Sequence, residues 1–426
     1  MTKQSLVKQT AILSTANTLV RAMGFLMRIW LSRTLGAEAM GITELASSAH
    51  MLWIAPVTSG IPMAVSREAA AGHGEAALRA GRRLAIRISL FMLPVLLFAS
   101  PFIAQILGDT RTLPALLCYL PCLPVLGLSA AYNGYCYGAG DTIPPSIAEI
   151  TEQGMRFLVC ASILLFVPGM TAAWNAAVPP LATLVGEAAS VILIGFMLRK
   201  GGVKLRGDVE KPLTRKIWNL SAPMTWMRVT NTMMRTVNSV LVPVRLRVSG
   251  LSAQEATARL GMFSGMAMPL VMLPSVVTGA IAMVAGPALA RRENDQKAMR
   301  RIIWKVLSAS LLISFVAAAA LAALAPWIAR SLYRQPDLQQ LTRLLLPLIP
   351  LMGIQQVCGG MLAGLRKQSS ALVPSLVGAM LTLLLNYLLT PTYRLAGCAW
   401  SQIAGQAVSL LMNLRVLVRA ARREKA

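Results

Sequence analysis

The stretch Thr10–Ser32, TAILSTANTLVRAMGFLMRIWLS, is apolar and long enough to cross a bilayer core, yet it carries Arg21 and Arg28. A second such stretch, Ile217–Val244, IWNLSAPMTWMRVTNTMMRTVNSVLVPV, carries Arg228 and Arg235. Each pair is spaced by seven residues, close to two helical turns, which puts both guanidinium groups on one face about 10 Å apart along the axis. An arginine at the bilayer centre costs roughly 3 kcal/mol even on the lenient insertion scale, so four facing lipid would cost on the order of 10 kcal/mol. The four side chains are therefore expected to face a wet interior cavity. Such a cavity suits an anion, and phosphate matches the bidentate fork of arginine best. Arg21, Arg28, Arg228 and Arg235 are the candidate substrate-binding residues.

The rest of the chain is of the same kind. Of its 426 residues 56% are hydrophobic and 13% charged, with a mean hydropathy of +0.61, and that charged share is about half of what a soluble domain carries. This composition predicts an all-α, polytopic membrane protein. About twelve segments reach spanning length: 10–32, 40–65, 84–107, 113–138, 145–168, 172–198, 217–244, 258–290, 301–325, 341–364, 371–390 and 395–418. Pro269, Pro274 and Pro287 interrupt the eighth, which predicts a kinked or tilted helix there.

The net charge of +25 invites a nucleic-acid reading, but the placement of the basic residues opposes it. Of 41 Lys and Arg, 27 fall in the termini and alternate loops with their adjoining span ends, nine in the opposite loops and span ends, and five (Arg21, Arg28, Arg156, Arg228 and Arg235) deep inside spans. The richest segments are 67–87, 199–216, 291–305 and 415–425. This is the positive-inside pattern of a bacterial cytoplasmic membrane protein with both termini in the cytoplasm. No basic, aromatic-studded soluble domain exists to bind nucleic acid. Lys3 and Lys8 before the first span resemble the start of a signal peptide, but the apolar run is too long, contains Arg21 and lacks a convincing cleavage site, so it stays as a helix. The six cysteines, Cys118, Cys122, Cys136, Cys160, Cys358 and Cys398, lie in or at the ends of spans without a CxxC or histidine pattern. They read as small core residues, and no metal site is expected.

The chain also repeats itself. The fourth span reads Pro121-x-x-Pro124-x-x-Gly127, then Gly134 and Gly138; the tenth reads Pro347-x-x-Pro350-x-x-Gly353, then Gly360 and Gly364, all at one offset of 226 residues. A looser echo joins Gly41, Pro56 and Gly60 to Gly261, Pro274 and Gly279. The expected organisation is therefore an N-terminal six-helix lobe (1–200), a basic cytoplasmic linker (201–216) and a C-terminal six-helix lobe (217–426). Six spans per lobe make the repeat parallel, with a pseudo-twofold axis along the membrane normal and alternating access at a cleft between lobes. Pro121, Pro124, Gly127, Pro347, Pro350 and Gly353 are candidate hinges; close helix packing explains the same residues equally well.

With these residues in view, the run Arg21–Gly41, RAMGFLMRIWLSRTLGAEAMG, resembles the opening of the stage V sporulation protein B branch of polysaccharide transporters. That branch belongs to the multidrug/oligosaccharidyl-lipid/polysaccharide (MOP) superfamily. The resemblance implies the fold shared by MATE transporters and the lipid II flippase MurJ. It also implies flipping of undecaprenyl-pyrophosphate-linked sugars, with a peptidoglycan precursor as one cargo. It further implies that Arg21 and Arg28 line the cavity, as first-helix arginines of related flippases do. Sodium-binding relatives use an aspartate in the seventh span, where this chain has Asn231 and Asn238.

Other polar residues admit two readings. Glu149, Glu152 and Arg156 follow one another at three and four residues in the fifth span, either as a polar cavity wall with a coupling role or as a self-neutralising network that orients helices. Glu44 opens the second span within reach of Arg28 or Arg33, and Glu187 stands alone in the sixth with no partner evident from sequence. Asn386 and Gln406 read as interhelical hydrogen-bond formers. No catalytic residue is expected: a transferase or polymerase needs acidic metal motifs or a large external loop, and the longest loop here is about 200–216. The leading expectation is a monomeric flippase for a lipid-linked anionic sugar, without cofactor. Moving an anionic headgroup outward runs down the membrane potential, about 2.3 kcal/mol per charge per 100 mV, so the coupling ion stays open. The competing expectation is a multidrug or metabolite cation antiporter of the same superfamily, although such exporters want carboxylates in the first lobe and its first span has none.

Overall fold

In the computed structural model, residues 3–422 are described except 206, 209–210, 293–294 and 366; for 3–14, 211, 368–369 and 421–422 only the backbone is described. Arg206, Arg423 and Lys425 of the basic segments thus lie outside the described residues. Helices make up the described chain, with no strand among its described residues. They are α1 (Lys3–Thr58), α2 (Gly60–Glu68), α3 (Gly74–Ile106), α4 (Leu113–Tyr119), α5 (Cys122–Ala139), α6 (Ile143–Phe166), α7 (Ala172–Lys200), α8 (Lys211–Val248) and α9 (Ala253–Leu260), then α10 (Met268–Met272), α11 (Ser275–Ala290), α12 (Gln296–Trp327), α13 (Asp337–Leu345), α14 (Leu348–Gly364), α15 (Leu372–Tyr393) and α16 (Leu395–Arg422).

Each expected span corresponds to a helix or to a bent pair. The first two share α1, which Gly36 divides: its φ of 76° is open to glycine and strained for other residues. By length and hydropathy alone five helical stretches qualify as spans, and eight when three bent pairs each count once. The stretch 15–106 counts as one there although Gly36 and Gly72 break it into three rods. Neither α6 nor α8 qualifies. These two hold Glu149, Glu152, Arg156, Arg228 and Arg235, and a helix that faces polar surroundings fails a test built on apolar ones.

The described packing forms two compact units, Met1–Thr236 and Val237–Ala426. The division falls inside α8 instead of at the linker 201–216. The early part of α8 joins the first unit through close contacts: a Cβ at Gly60 would clash with the Ser221 backbone, Lys216 Nζ reaches Glu68 at 2.8 Å, and the Thr236 hydroxyl donates to the Ser48 carbonyl at 2.8 Å.

Inside each unit the Pro/Gly repeat has one structural meaning. The helix pair α4–α5 bends by 43° at Pro121 and the pair α13–α14 by 44° at Pro347, because proline at the first turn of the second rod removes a backbone donor. The α9–α11 segment bends by 51° around Pro274, the kink expected for the eighth span. Gly134 and Gly138 press against the Pro62 and Ser66 carbonyls of α2, and Gly360 and Gly364 against those of Ala282 and Gly286 of α11. Gly127 meets Ala85, and Gly353 meets Ser314. The glycines of both repeats are thus close-packing positions, where small residues let helices approach without lipid-filled gaps. The cysteines are buried, with Cys118 half-buried.

Candidate functional site

The first unit holds all four candidate arginines. On α1, a wheel of 100° per residue sets Arg21 and Arg28 within about 20° of each other and roughly 150° from Leu19 and Leu26, and Leu26 is 64% exposed. On α8 the same geometry groups Arg228 and Arg235 with the buried Ile217, Ser221, Thr232, Val242 and Leu246. Trp226, 71% exposed, lies on the far side with Met233, Val237 and Val244. Exposed apolar side chains mark the lipid face of a membrane helix, so both arginine pairs sit on the protein-facing side. Arg21, Arg228 and Arg235 are nonetheless solvent-accessible.

Arg28 is engaged by an acid. It pairs with Glu44 across the Gly36 break, the partner that its spacing in sequence allowed. A guanidinium so neutralised holds the two rods of α1 together and has less charge to offer a ligand.

The polar residues of α6 form a denser group. Arg156 lies 2.9 Å from Glu152 and 3.3 Å from Glu187 of α7, whose carboxyl is only 7% exposed. The partner of Glu187, not evident from sequence, is therefore Arg156. Glu149 is half-buried and joins neither ion pair. Close by, His50 stacks on Tyr119 with ring centroids 3.9 Å apart, and the Tyr119 hydroxyl is hydrogen-bonded to Ser47. Two carboxylates around one guanidinium, all largely buried, act first as a lock between α6 and α7.

A further pin joins Arg111 to Glu38, a partner 73 residues away that sequence reasoning did not find. Arg111 forks onto Asp109 at 2.7 and 2.9 Å and also binds Glu38. The hydrogen bonds it donates to Asp109, aided by Glu38, hold this guanidinium above its ordinary pKa despite partial burial. In the second unit, Asn386 donates to Asn238 of α8 at 2.5 Å, which makes Asn386 the interhelical bridge expected of it. Gln406 is half-buried. No group of His, Cys, Asp and Glu able to hold a metal ion occurs among the described residues.

Comparison with known proteins gives concordant results. A family model described as "Polysaccharide biosynthesis protein" matches residues 6–293, and a MatE model matches 232–388. Stage V sporulation protein B of Bacillus subtilis (strain 168) is 25% identical over 435 residues, covering 97% of this chain and 83% of that protein. Among solved structures, an inward-facing multidrug resistance MATE family transporter of the MOP superfamily superposes with a TM-score of 0.76 at 15% identity, covering 99% of this chain and 100% of that one. The lipid II flippase MurJ in an inward closed conformation also gives 0.76, at 13% identity, covering 97% and 89%. These structural likenesses establish a multi-pass, all-α membrane transporter fold.

Proposed function

Because the chain belongs to the polysaccharide biosynthesis protein family of the MOP superfamily, we propose that it flips an undecaprenyl-pyrophosphate-linked saccharide from the cytoplasmic to the outer leaflet by alternating access. The observation that carries this reading is the orientation of the arginines: both pairs lie opposite the exposed apolar faces of their helices. Arg21 and Arg228 bind the pyrophosphate, with Arg235 beside Arg228 along α8, while the sugars stay in water and the prenyl tail in lipid. Arg28 acts mainly through Glu44. The bends at Pro121 and Pro347 flex as the site changes access. Transfer of the anionic headgroup follows the membrane potential, and both termini stay in the cytoplasm.

The test is translocation of a lipid-linked saccharide in reconstituted vesicles. Arg21→Ala and Arg228→Ala are each expected to lower the rate at least tenfold, with folding and insertion unchanged. Full translocation by both variants would sink the proposal. A second reading, export of cationic drugs or metabolites, draws on the MatE match over 232–388. It predicts drug efflux that Glu149→Gln abolishes and Arg21→Ala leaves intact.

A further inference from the structure

At one end of α3, Arg79, Arg82, Arg83 and Arg87 line a cavity of about 240 Å³ together with Ile86, Leu205 and Gly207. From sequence these residues counted only toward the charge bias, yet the fold turns them into a pocket. Arg79 Nη1 donates to the Lys204 carbonyl at 3.1 Å and Arg82 Nη1 to that of Leu205 at 2.5 Å, so the segment after α7 forms the opposite wall. Arg82 also lies over the Tyr132 ring at 5.3 Å. Among the described residues, Glu75 pairs with Arg79 at 3.4 Å and accepts the Lys204 amide. Arg83 and Arg87 form no ion pair or hydrogen bond among the described residues. The Nε atoms of Arg79 and Arg82 are buried without an acceptor. Four guanidinium groups and two orphaned donors make a site for a multiply hydrogen-bonding anion.

The surroundings identify the kind of anion. Arg79, Arg83 and Arg87 step by four along α3, and the same ridge continues through Phe91 and Val95. Phe91 is 75% exposed and Phe98, beside the ridge, 83%. Arginines thus sit at the head of a stripe that meets acyl chains, with Phe91 about 6 Å beyond Arg87. We infer that this pocket binds the phosphate of an anionic phospholipid whose acyl chains lie along the Phe91–Phe98 face of α3. A soluble phosphate would use the guanidinium groups and leave that stripe unused. Basic pockets at the ends of membrane helices hold lipid headgroups by the same combination of charge and apolar contact. Its occupant clamps α3 to the segment after α7.

The proposal is tested on the full chain in detergent by native mass spectrometry with phosphatidylglycerol, with phosphatidylcholine of the same acyl chains and with inorganic phosphate. Phosphatidylglycerol is expected to bind at least tenfold more tightly than phosphatidylcholine. In Arg83→Gln/Arg87→Gln, which disturbs no internal contact, that preference falls roughly tenfold, with an unchanged melting temperature. Arg83→Glu/Arg87→Glu abolishes it. Equal binding of the two lipids, or an undiminished preference in both variants, overturns the assignment. So does displacement of phosphatidylglycerol by equimolar inorganic phosphate, which marks a soluble-anion site, or by equimolar undecaprenyl pyrophosphate, which marks a cargo site.

Discussion

Replacing Arg156 with leucine is expected to destabilise the first unit by about 3–5 kcal/mol, the usual cost of stripping one partner from a buried ion pair. The variant leaves Glu152 and Glu187 facing each other without a cation in a place where both are nearly excluded from solvent. Removing a carboxylate should do far less harm. Glu187→Gln keeps the 2.9 Å pair between Arg156 and Glu152 intact and retains a polar group at 3.3 Å, so about 1 kcal/mol is expected. Adding Glu187→Gln to Arg156→Leu should recover part of the loss, because it removes one of the two opposed charges. A double-mutant cycle of unfolding in detergent measures all three values. If Arg156→Leu unfolds like the parent, the triad is not the lock between α6 and α7.

The second large effect concerns two adjacent glycines of α14. A Cβ at Gly360 would sit 2.5 Å from the Ala282 carbonyl oxygen, and the obstacle is backbone that cannot swing aside. A Cβ at Gly359 meets nothing within 4 Å. Gly360→Ala should therefore cost about 1–3 kcal/mol or more through overpacking, while Gly359→Ala should stabilise by about 0.4–1 kcal/mol through the unfolded chain. Gly134→Ala, 2.5 Å from the Pro62 carbonyl, should match Gly360→Ala. The sites lie in different units, so their effects should add in the double variant. Equal melting temperatures for Gly359→Ala and Gly360→Ala would refute the close-packing account of the repeat.

The bends at Pro121 and Pro347 were legible in the sequence, because proline acts on its own turn and needs no distant neighbour. The roles of Gly134 and Gly360 were half legible. Small residues at four-residue spacing announce a close crossing, but only the fold shows that the approach is to Pro62 and Ala282. Glu187 read as partnerless because Arg156 lies 31 residues away on another helix. The arginines of 79–87 read as a topology signal, since nothing in sequence reveals that Leu205 returns to close a cavity over them. The division of the packing inside α8 could not be read from sequence for a related reason: charge changes at the linker, whereas packing depends on contacts between helices.

By itself the sequence determined the solvent, the helical class, the repeat and the face on which each arginine pair must lie. Those properties follow from backbone satisfaction in lipid and from helix periodicity, which act within a few turns. Only the tertiary structure decided which charges are paired, as Arg28 is with Glu44 and Arg156 with Glu152 and Glu187. Electrostatic pairing depends on distances of a few ångströms between helices, and those distances exist only once the chain has packed.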